Sequence, residues 1–165
     1  MASEKVATVA GSERGQMLTF RLGAETFGVD ILRVKEIRGW TPVTKIPQSP
    51  PHMLGVLNLR GAIVPIVDLR LRFELDSVEY SPLTVVIVLS IHTGDAVREC
   101  GIVVDGVSDV VDIPLASIKE SPAIGDAARS RCIRGLANVE DQMLILLDAE
   151  ELVSRESGPE VLAAA

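Results

Sequence analysis

The chain reads as an all-β protein that builds one plan twice. Three observations carry that expectation. Hydrophobic residues make up 47% of the 165 but aromatics only 3%, so the core is filled by Val, Ile and Leu, residues that suit a pleated, half-buried surface. The apolar runs are short and separated by turn-forming pairs such as Arg60-Gly61 and Asp105-Gly106. That spacing indicates small barrels or a sandwich, since an open sheet would leave pairing edges exposed. Finally, four blocks of the first half recur in order in the second. Phe27–Val34 aligns with Cys100–Val107, Ser49-Pro50 with Ser121-Pro122, Gly55–Asn58 with Gly135–Asn138, and Val67-Asp68 with Leu147-Asp148. The offset is 73, then 72, then 80, the change being absorbed by an extra segment around Ile124–Arg131. Repeats of this length indicate two similar domains rather than a solenoid.

The elements follow in order. Met17–Leu22 alternates Leu18, Phe20 and Leu22 with Thr19 and Arg21, the pattern of a half-buried strand. Gly23-Ala24-Glu25 is a turn, and Thr26–Ile31 and Val34–Gly39 are short strands. Four prolines between Thr41 and Pro51 predict a loop or extended crossover. In Gly55–Arg70, ten of sixteen residues are Val, Leu, Ile, Ala or Pro. The run is long enough for two strands, with its clearest break at Arg60-Gly61. An unpaired buried cation is costly, so Arg60 is placed at a hairpin tip, where its head reaches water. Glu74–Pro82 is an acidic linker. The second unit repeats the plan with Leu83–Ile91, a polar turn at His92–Arg98, Cys100–Val104, a hairpin turn at Asp105-Gly106, Val107–Ile113, Cys132–Val139 and Met143–Leu147. Helices are predicted over Asp148–Ser154 and, as one turn, Asp126–Arg131. The first fifteen residues lack the apolar core of a signal peptide and read as a disordered tail. The residues after Glu156 read as frayed.

Composition excludes several roles. The net charge is −7 and no Lys/Arg-rich run occurs, so nucleic acid and anionic membranes are poor partners. The apolar runs are far too short to span a bilayer. Cys100 and Cys132 are the only cysteines. They are expected as free thiols in a reducing cytoplasm, Cys100 as a small buried hydrophobe. His52 and His92 are expected in solvent, and no His/Cys/carboxylate cluster has metal-ligand spacing. The enzymatic candidates are Asp30, Asp68, Asp105, Asp109 and Asp112. An aspartic-protease dyad needs Asp-Thr/Ser-Gly twice, whereas here Gly106 follows Asp105 directly and the matching first-half residue is Leu32. No enzyme, metal or cofactor is expected.

Asp68 and Asp148 share one repeat position, each before a possible helix, and are assigned as N-caps. Asn58 and Asn138 are assigned to tying down backbone. Arg60 differs, because its repeat partner is Glu140 and that of Gly61 is Asp141. A tip that served only the scaffold would be needed twice, so the tip is assigned a function. Its expected partner is Glu36, which repeats as Asp109. Val34 and Ile37 flank Glu36 and offer an apolar docking patch.

The motif Asn58-Leu59-Arg60-Gly61 followed by Pro65-Ile66-Val67-Asp68-Leu69-Arg70 resembles the signature of CheW-type chemotaxis coupling proteins. Phe27–Trp40, Thr84–Leu89 and Gly101–Val111 resemble that family's other motifs, and the resemblance runs from Gln16 to Val153. It implies two pseudo-equivalent five-stranded SH3-like barrels packed across an apolar interface, with short helices after the barrel-closing strands. The expected division is a tail over 1–15, barrels over 16–80 and 81–148, and a C-terminal helix and tail over 149–165. The resemblance further implies a non-catalytic adaptor that couples methyl-accepting chemoreceptors to the regulatory domain of a CheA-type histidine kinase. Such a protein is cytoplasmic, recruited to membrane-associated arrays without inserting into the membrane, and monomeric when isolated. The receptor tip would dock between the barrels on Ile31, Val34, Glu36, Ile37, Gly55, Arg60, Gly61, Val85 and Val107. The kinase would meet Val43, Thr44 and Ile63 on one barrel and Lys119, Ala123 and Ile124 on the other, where Ala123 departs from the family's larger or more charged cluster. Two alternatives are an SH3-like module for Pro-rich peptides, which the scarcity of aromatics opposes, and an enzyme with an unrecognised carboxylate site.

Overall fold

The computed structural model describes residues 13–75, 79–120 and 132–156. The expected turn over Asp126–Arg131, the repeat pair Ser121-Pro122 and both chain ends lie outside them. Among the described residues ten strands form: β1 (Arg14–Leu22), β2 (Glu25–Asp30), β3 (Val34–Gly39), β4 (Met53–Leu59), β5 (Ala62–Asp68), β6 (Val85–Thr93), β7 (Ala96–Val104), β8 (Gly106–Pro114), β9 (Ile133–Val139) and β10 (Gln142–Leu147). A short helix α1 (Leu69–Arg72) follows β5, and α2 (Ala149–Glu156) follows β10.

The strands make two five-stranded sheets, ordered β9-β10-β2-β1-β8 and β3-β6-β7-β5-β4. Their pairing corrects the expected domain division. One barrel is continuous, residues 34–104, and is inserted in the chain between β2 and β8 of the other, which is assembled from β1–β2 and β8–β10; by chain order they are the inner and the outer barrel. A cut at residue 80 would therefore divide the inner barrel. The sequence repeat and the barrels are out of phase because the chain changes barrel in the middle of each repeat, at Ile31–Arg33 and at Asp105. Asp105-Gly106 is accordingly a crossing and not a hairpin turn: β7 pairs with β6 and β5, while β8 pairs with β1.

Each sheet is completed by one parallel pairing between the halves. Leu144–Leu146 lies along Thr26–Gly28, and Ile66–Asp68 lies along Gly101–Val103. The second ladder starts one residue past Pro65, which has no N–H to donate. Both crossings use a repeated glycine. A Cβ at Gly28 would stand 3.0 Å from Leu146 Cδ2, and one at Gly101 would stand 2.6 Å from Ile66 Cδ1.

Closure is also duplicated. Thr44 exchanges two backbone hydrogen bonds with Val56 (3.0 and 2.8 Å), and Lys119 does the same with Leu136 (2.7 Å each). These bridges join β4 to the segment after β3, and β9 to the segment after β8. The adjacent glycines make the approach possible: a Cβ at Gly55 would lie 2.1 Å from Thr44 O, and at Gly135 2.5 Å from Lys119 O.

Three apolar clusters result. Leu59, Val64, Ile66, Val86, Val88 and Val103 fill the inner barrel, and Met17, Ile113, Ala137, Leu144 and Leu146 fill the outer one. The largest cluster lies between them, where Leu18, Phe20, Phe27 and Val29 meet Ile87, Leu89, Cys100 and Ile102. Alternation explains this division, since successive residues of β1 and β6 face a barrel interior and then the shared interface. Helix α2 presents Ala149, Leu152 and Val153 to that interface and packs on β6 and β7. A helix leaving the outer barrel is thus laid across the inner one.

Gly55→Ala should be among the most damaging single-methyl additions. Gly55 has φ +153°, so the variant combines backbone strain of about 1–3 kcal/mol with loss of the closing bridge. Urea denaturation should show destabilisation of at least about 3 kcal/mol; a loss below about 1 kcal/mol would mean that the closure adapts.

Candidate functional site

The tip of the β4–β5 hairpin is a two-residue turn in which Arg60 has φ 52° and Gly61 φ 88°. Positive φ at both central residues is the turn type that matches strand twist. The second copy adopts the same turn with Glu140 at φ 49° and Asp141 at φ 65°. The backbone thus does not require arginine or glycine here, and a non-glycine residue at positive φ costs about 1–2 kcal/mol. Asn58 Oδ1 accepts from Gly61 N–H at 2.9 Å, as its assigned backbone role requires.

Arg60 Nη1 donates to Glu36 Oε1 at 2.6 Å, the pairing expected from the sequence. Arg38 Nη1 stands 3.7 Å from the other oxygen. Glu36 is 20% exposed and Arg60 71%, so the pair adds at most about 1 kcal/mol of stability. It orients a charge more than it stabilises the barrel. In the second copy Asp109 and Glu140 line one cleft, and their like charges cannot make such a pair. Asp109 N–H instead donates to Thr19 Oγ1, which donates back to Asp109 O, both at 3.0 Å.

A shift in register between Val34 and Glu36 places Val34 and Ile37 on the same face of β3. Val34, Ile31, Val85 and Val107 are each half-buried and pack on the inter-barrel cluster. Ile37 lies on the edge strand and is 45% exposed. Gly61 is exposed, whereas Gly55 is buried under Thr44 and serves closure. Of the second set, Val43 packs on the inner-barrel core, Thr44 carries the closing bridge, Ile63 is exposed and exposed Lys119 is the repeat counterpart of Thr44. Ala123 and Ile124 lie outside the described residues.

The sequence reading missed the buried charge cluster at Arg70, the last residue of the motif. Arg70 is 1% exposed and Asp68 fully buried. Arg70 donates through Nε to Asp68 Oδ1 and through Nη2 to Asp68 Oδ2, both at 3.0 Å. Its Nη1 donates to Asp105 Oδ1 at 2.9 Å and to Glu79 O at 2.6 Å. Burial alone would lower the guanidinium pKa, but the two carboxylates outweigh it and raise it. Tyr80 closes the cluster, donating its hydroxyl to Asp68 Oδ2 at 2.6 Å while its ring stacks on Trp40 at 4.5 Å. Part of the expected acidic linker is therefore pinned to the inner barrel. Asp105, read as a turn former, also accepts from Gly23 N–H at 2.7 Å and so bridges the two barrels. The signal was a cation two residues after an N-capping aspartate at the end of an apolar strand.

The N-caps are present, with Asp68 accepting from Arg70 N–H at 2.9 Å and Asp148 from Glu151 N–H at 3.1 Å. His92 is exposed, as expected, but lies within β6 and not in the turn. His52 is not free in solvent: its half-buried Nε2 stands 3.1 Å from both carboxylate oxygens of buried Glu156, which also pairs with Arg72 at 3.4 Å. These contacts fasten the far end of α2 to the inner barrel. No group of three or more metal-ligating side chains occurs among the described residues, and none of their helices is long and apolar enough to cross a membrane.

Comparison with known proteins agrees with this fold. Residues 16–157 match the model of the CheW-like domain. The chain is 45% identical to the chemotaxis protein CheW of Klebsiella aerogenes over 92% of its own length and 89% of that protein's. It is 30% identical to protein FrzA of Myxococcus xanthus over 78% of each chain. The crystal structure of the scaffolding protein TtCheW from Thermoanaerobacter tengcongensis is 32% identical and superposes with a TM-score of 0.73, covering 82% of this chain and 90% of that one.

Two predictions follow from the charge cluster. Arg70→Met strands Asp68 as a buried carboxylate and takes a partner from half-buried Asp105, and should cost about 3–5 kcal/mol in chemical denaturation; a loss under about 1 kcal/mol would contradict the pairing. The single tyrosine allows a clean titration at 295 nm. Burial, with the Asp68 carboxylate beside it, pushes the Tyr80 hydroxyl from 10.0 up to about 12. Because the folded state holds this proton longer, its contribution to stability is complete below pH 10 and lost as pH rises through about 12. A Tyr80 midpoint at 10 in the folded protein would contradict this.

Proposed function

The chain belongs to the family of CheW-like domains, and from that premise we propose that it is a non-catalytic chemotaxis adaptor coupling chemoreceptors to a CheA-type histidine kinase. One observation carries the reading. The Glu36–Arg60 pair stands beside exposed Ile37 in one copy of a duplicated scaffold, while the other copy holds like charges at both positions. A surface specified in one copy only is a surface kept for a partner.

The receptor tip, a helical hairpin, docks along the seam on Ile31, Val34, Ile37, Val85 and Val107, with Glu36, Arg60 and Gly61 as a charged rim. Helices with an apolar stripe seat in grooves of this kind. The kinase regulatory domain makes one contact on Val43, Thr44 and Ile63 and a second on Lys119, Ala123 and Ile124. Thr44 and Lys119 hold matched bridges, which supports reading the two as equivalent contacts. Holding receptor and kinase together lets a small receptor displacement bias the kinase through differential affinity for its conformations. The adaptor is cytoplasmic, recruited to membrane-associated arrays, and monomeric when isolated.

Co-sedimentation with a receptor cytoplasmic fragment and the kinase regulatory domain tests this. The chain should bind both, and failure to bind either overturns the assignment. Arg60→Ala should weaken receptor binding at least about tenfold, as expected for a residue central to an interface, with the β-type circular dichroism unchanged. Loss of that spectrum would make Arg60 structural.

A further inference from the structure

The residue two positions past the capping aspartate is charged in both copies, with opposite sign: Arg70 after Asp68 and Glu150 after Asp148. Each reaches a crossing between the barrels. Arg70 holds Asp105, between β7 and β8. Glu150 Oε1 accepts from Arg33 Nη2 at 2.8 Å, between β2 and β3. The crossings are thus clamped at adjacent repeat positions, Asp105 matching Leu32 and Arg33 matching Gly106, with the charges exchanged. They differ in exposure: the side chains of Arg70 and Asp105 are 1% and 31% exposed, those of Arg33 and Glu150 36% and 63%. Arg33 and Glu150 also line an open cleft of about 580 Å³ together with Asp30, Arg134 and Asp148, so water and ions reach them.

We infer that Arg33 and Glu150 are positioning residues, an exposed ionic latch that holds the Ile31–Val34 crossing in the conformation used for docking. The inference rests on the docking role proposed above for Ile31 and Val34. The latch ties that crossing to α2, which Glu156 fastens to His52 and Arg72 at its other end. The crossing therefore takes its position from a helix seated on the inner barrel. Exposed ion pairs are weak and screened by salt, whereas buried ones are screened much less. One crossing is consequently fixed and the other compliant, and the compliant one carries Ile31 and Val34.

Hydrogen exchange on the full chain tests the latch. The reporters are Val34 N–H, which donates to Ile31 O, and, as control, Asp105 N–H, which donates to Arg21 O. Arg33→Gln and Glu150→Gln should each speed exchange at Val34 about two- to fivefold, the scale of a surface pair, and leave Asp105 unchanged. The double variant should exchange no faster than the faster single variant, since both remove one interaction. Salt at about 1 M, where screening acts within about 3 Å, should bring the wild type to the variants' rate. No acceleration, additive acceleration, or equal acceleration at Asp105 overturns the latch. In the second arm, each single variant should lose affinity for the receptor fragment by the same factor. Altered exchange with unaltered affinity overturns the positioning role. If the wild type binds no receptor fragment, the docking assignment falls while the exchange result still supports the latch.

Discussion

Everything in this fold that concerns two barrels rather than one depends on where Asp105 is held. Its backbone N–H and one carboxylate oxygen bind the β1–β2 turn of the outer barrel at Arg21 and Gly23, and its other oxygen binds Arg70 of the inner barrel. Arg70 is in turn fixed by Asp68, whose second oxygen is occupied by Tyr80. A buried guanidinium is tolerable only because carboxylate oxygens and a carbonyl meet its donors. The network is expensive in desolvation, and hydrophobic residues could fill the same space. Unlike hydrophobic contacts, however, it fixes direction, and direction is what a seam between two barrels needs if side chains from both are to face one ligand.

Much of this was legible in the sequence and some was not, for identifiable reasons. Strand positions, the Arg60 turn, both N-caps and the Glu36–Arg60 pair came from local signals: alternation, a Gly-containing break, Asp before a helix, and charges at positions matched by the repeat. What failed was connectivity. Asp105-Gly106 carries the strongest short-range hairpin signal in the chain, yet its strands lie in different sheets, because tertiary bonds to Arg21, Gly23 and Arg70 consume the groups a turn would have used. The same repeat that revealed two barrels also suggested a division at residue 80. Sequence similarity reports duplicated elements but not which copies pair, and here each copy gives some strands to each sheet. Arg70 went unread for a related reason, since one of its two carboxylate partners, Asp105, is thirty-five residues away and has no counterpart at the matching repeat position.

The duplicated scaffold makes the differences between copies informative. Glycines at 28 and 101 and at 55 and 135 are constrained by close approach and recur. The turns at 60–61 and 140–141 share a backbone conformation, but their side chains diverge in charge. Where geometry alone dictates a residue, both copies keep it. Where geometry is indifferent, the copies part, and the first copy's arginine meets a glutamate beside the seam. The proposed docking surface is thus distinguished by what the fold leaves free.

The nesting of one barrel within the other also governs the order in which the protein can form during synthesis. The inner barrel is complete once residue 104 has emerged, and all its strand pairings are internal. The β1–β2 hairpin is made first, but its flanking partners β8 and β10 are made last. Two strands with one apolar face are marginal alone in water, so this hairpin waits for the whole inner barrel to be translated before its sheet can close. Long-range pairing of that kind slows folding. The finished inner barrel offers its half of the shared interface, Ile87, Leu89 and Ile102, as a surface on which the waiting hairpin can settle. That face, fully buried in the finished protein, would then serve first as the template on which the outer barrel is assembled.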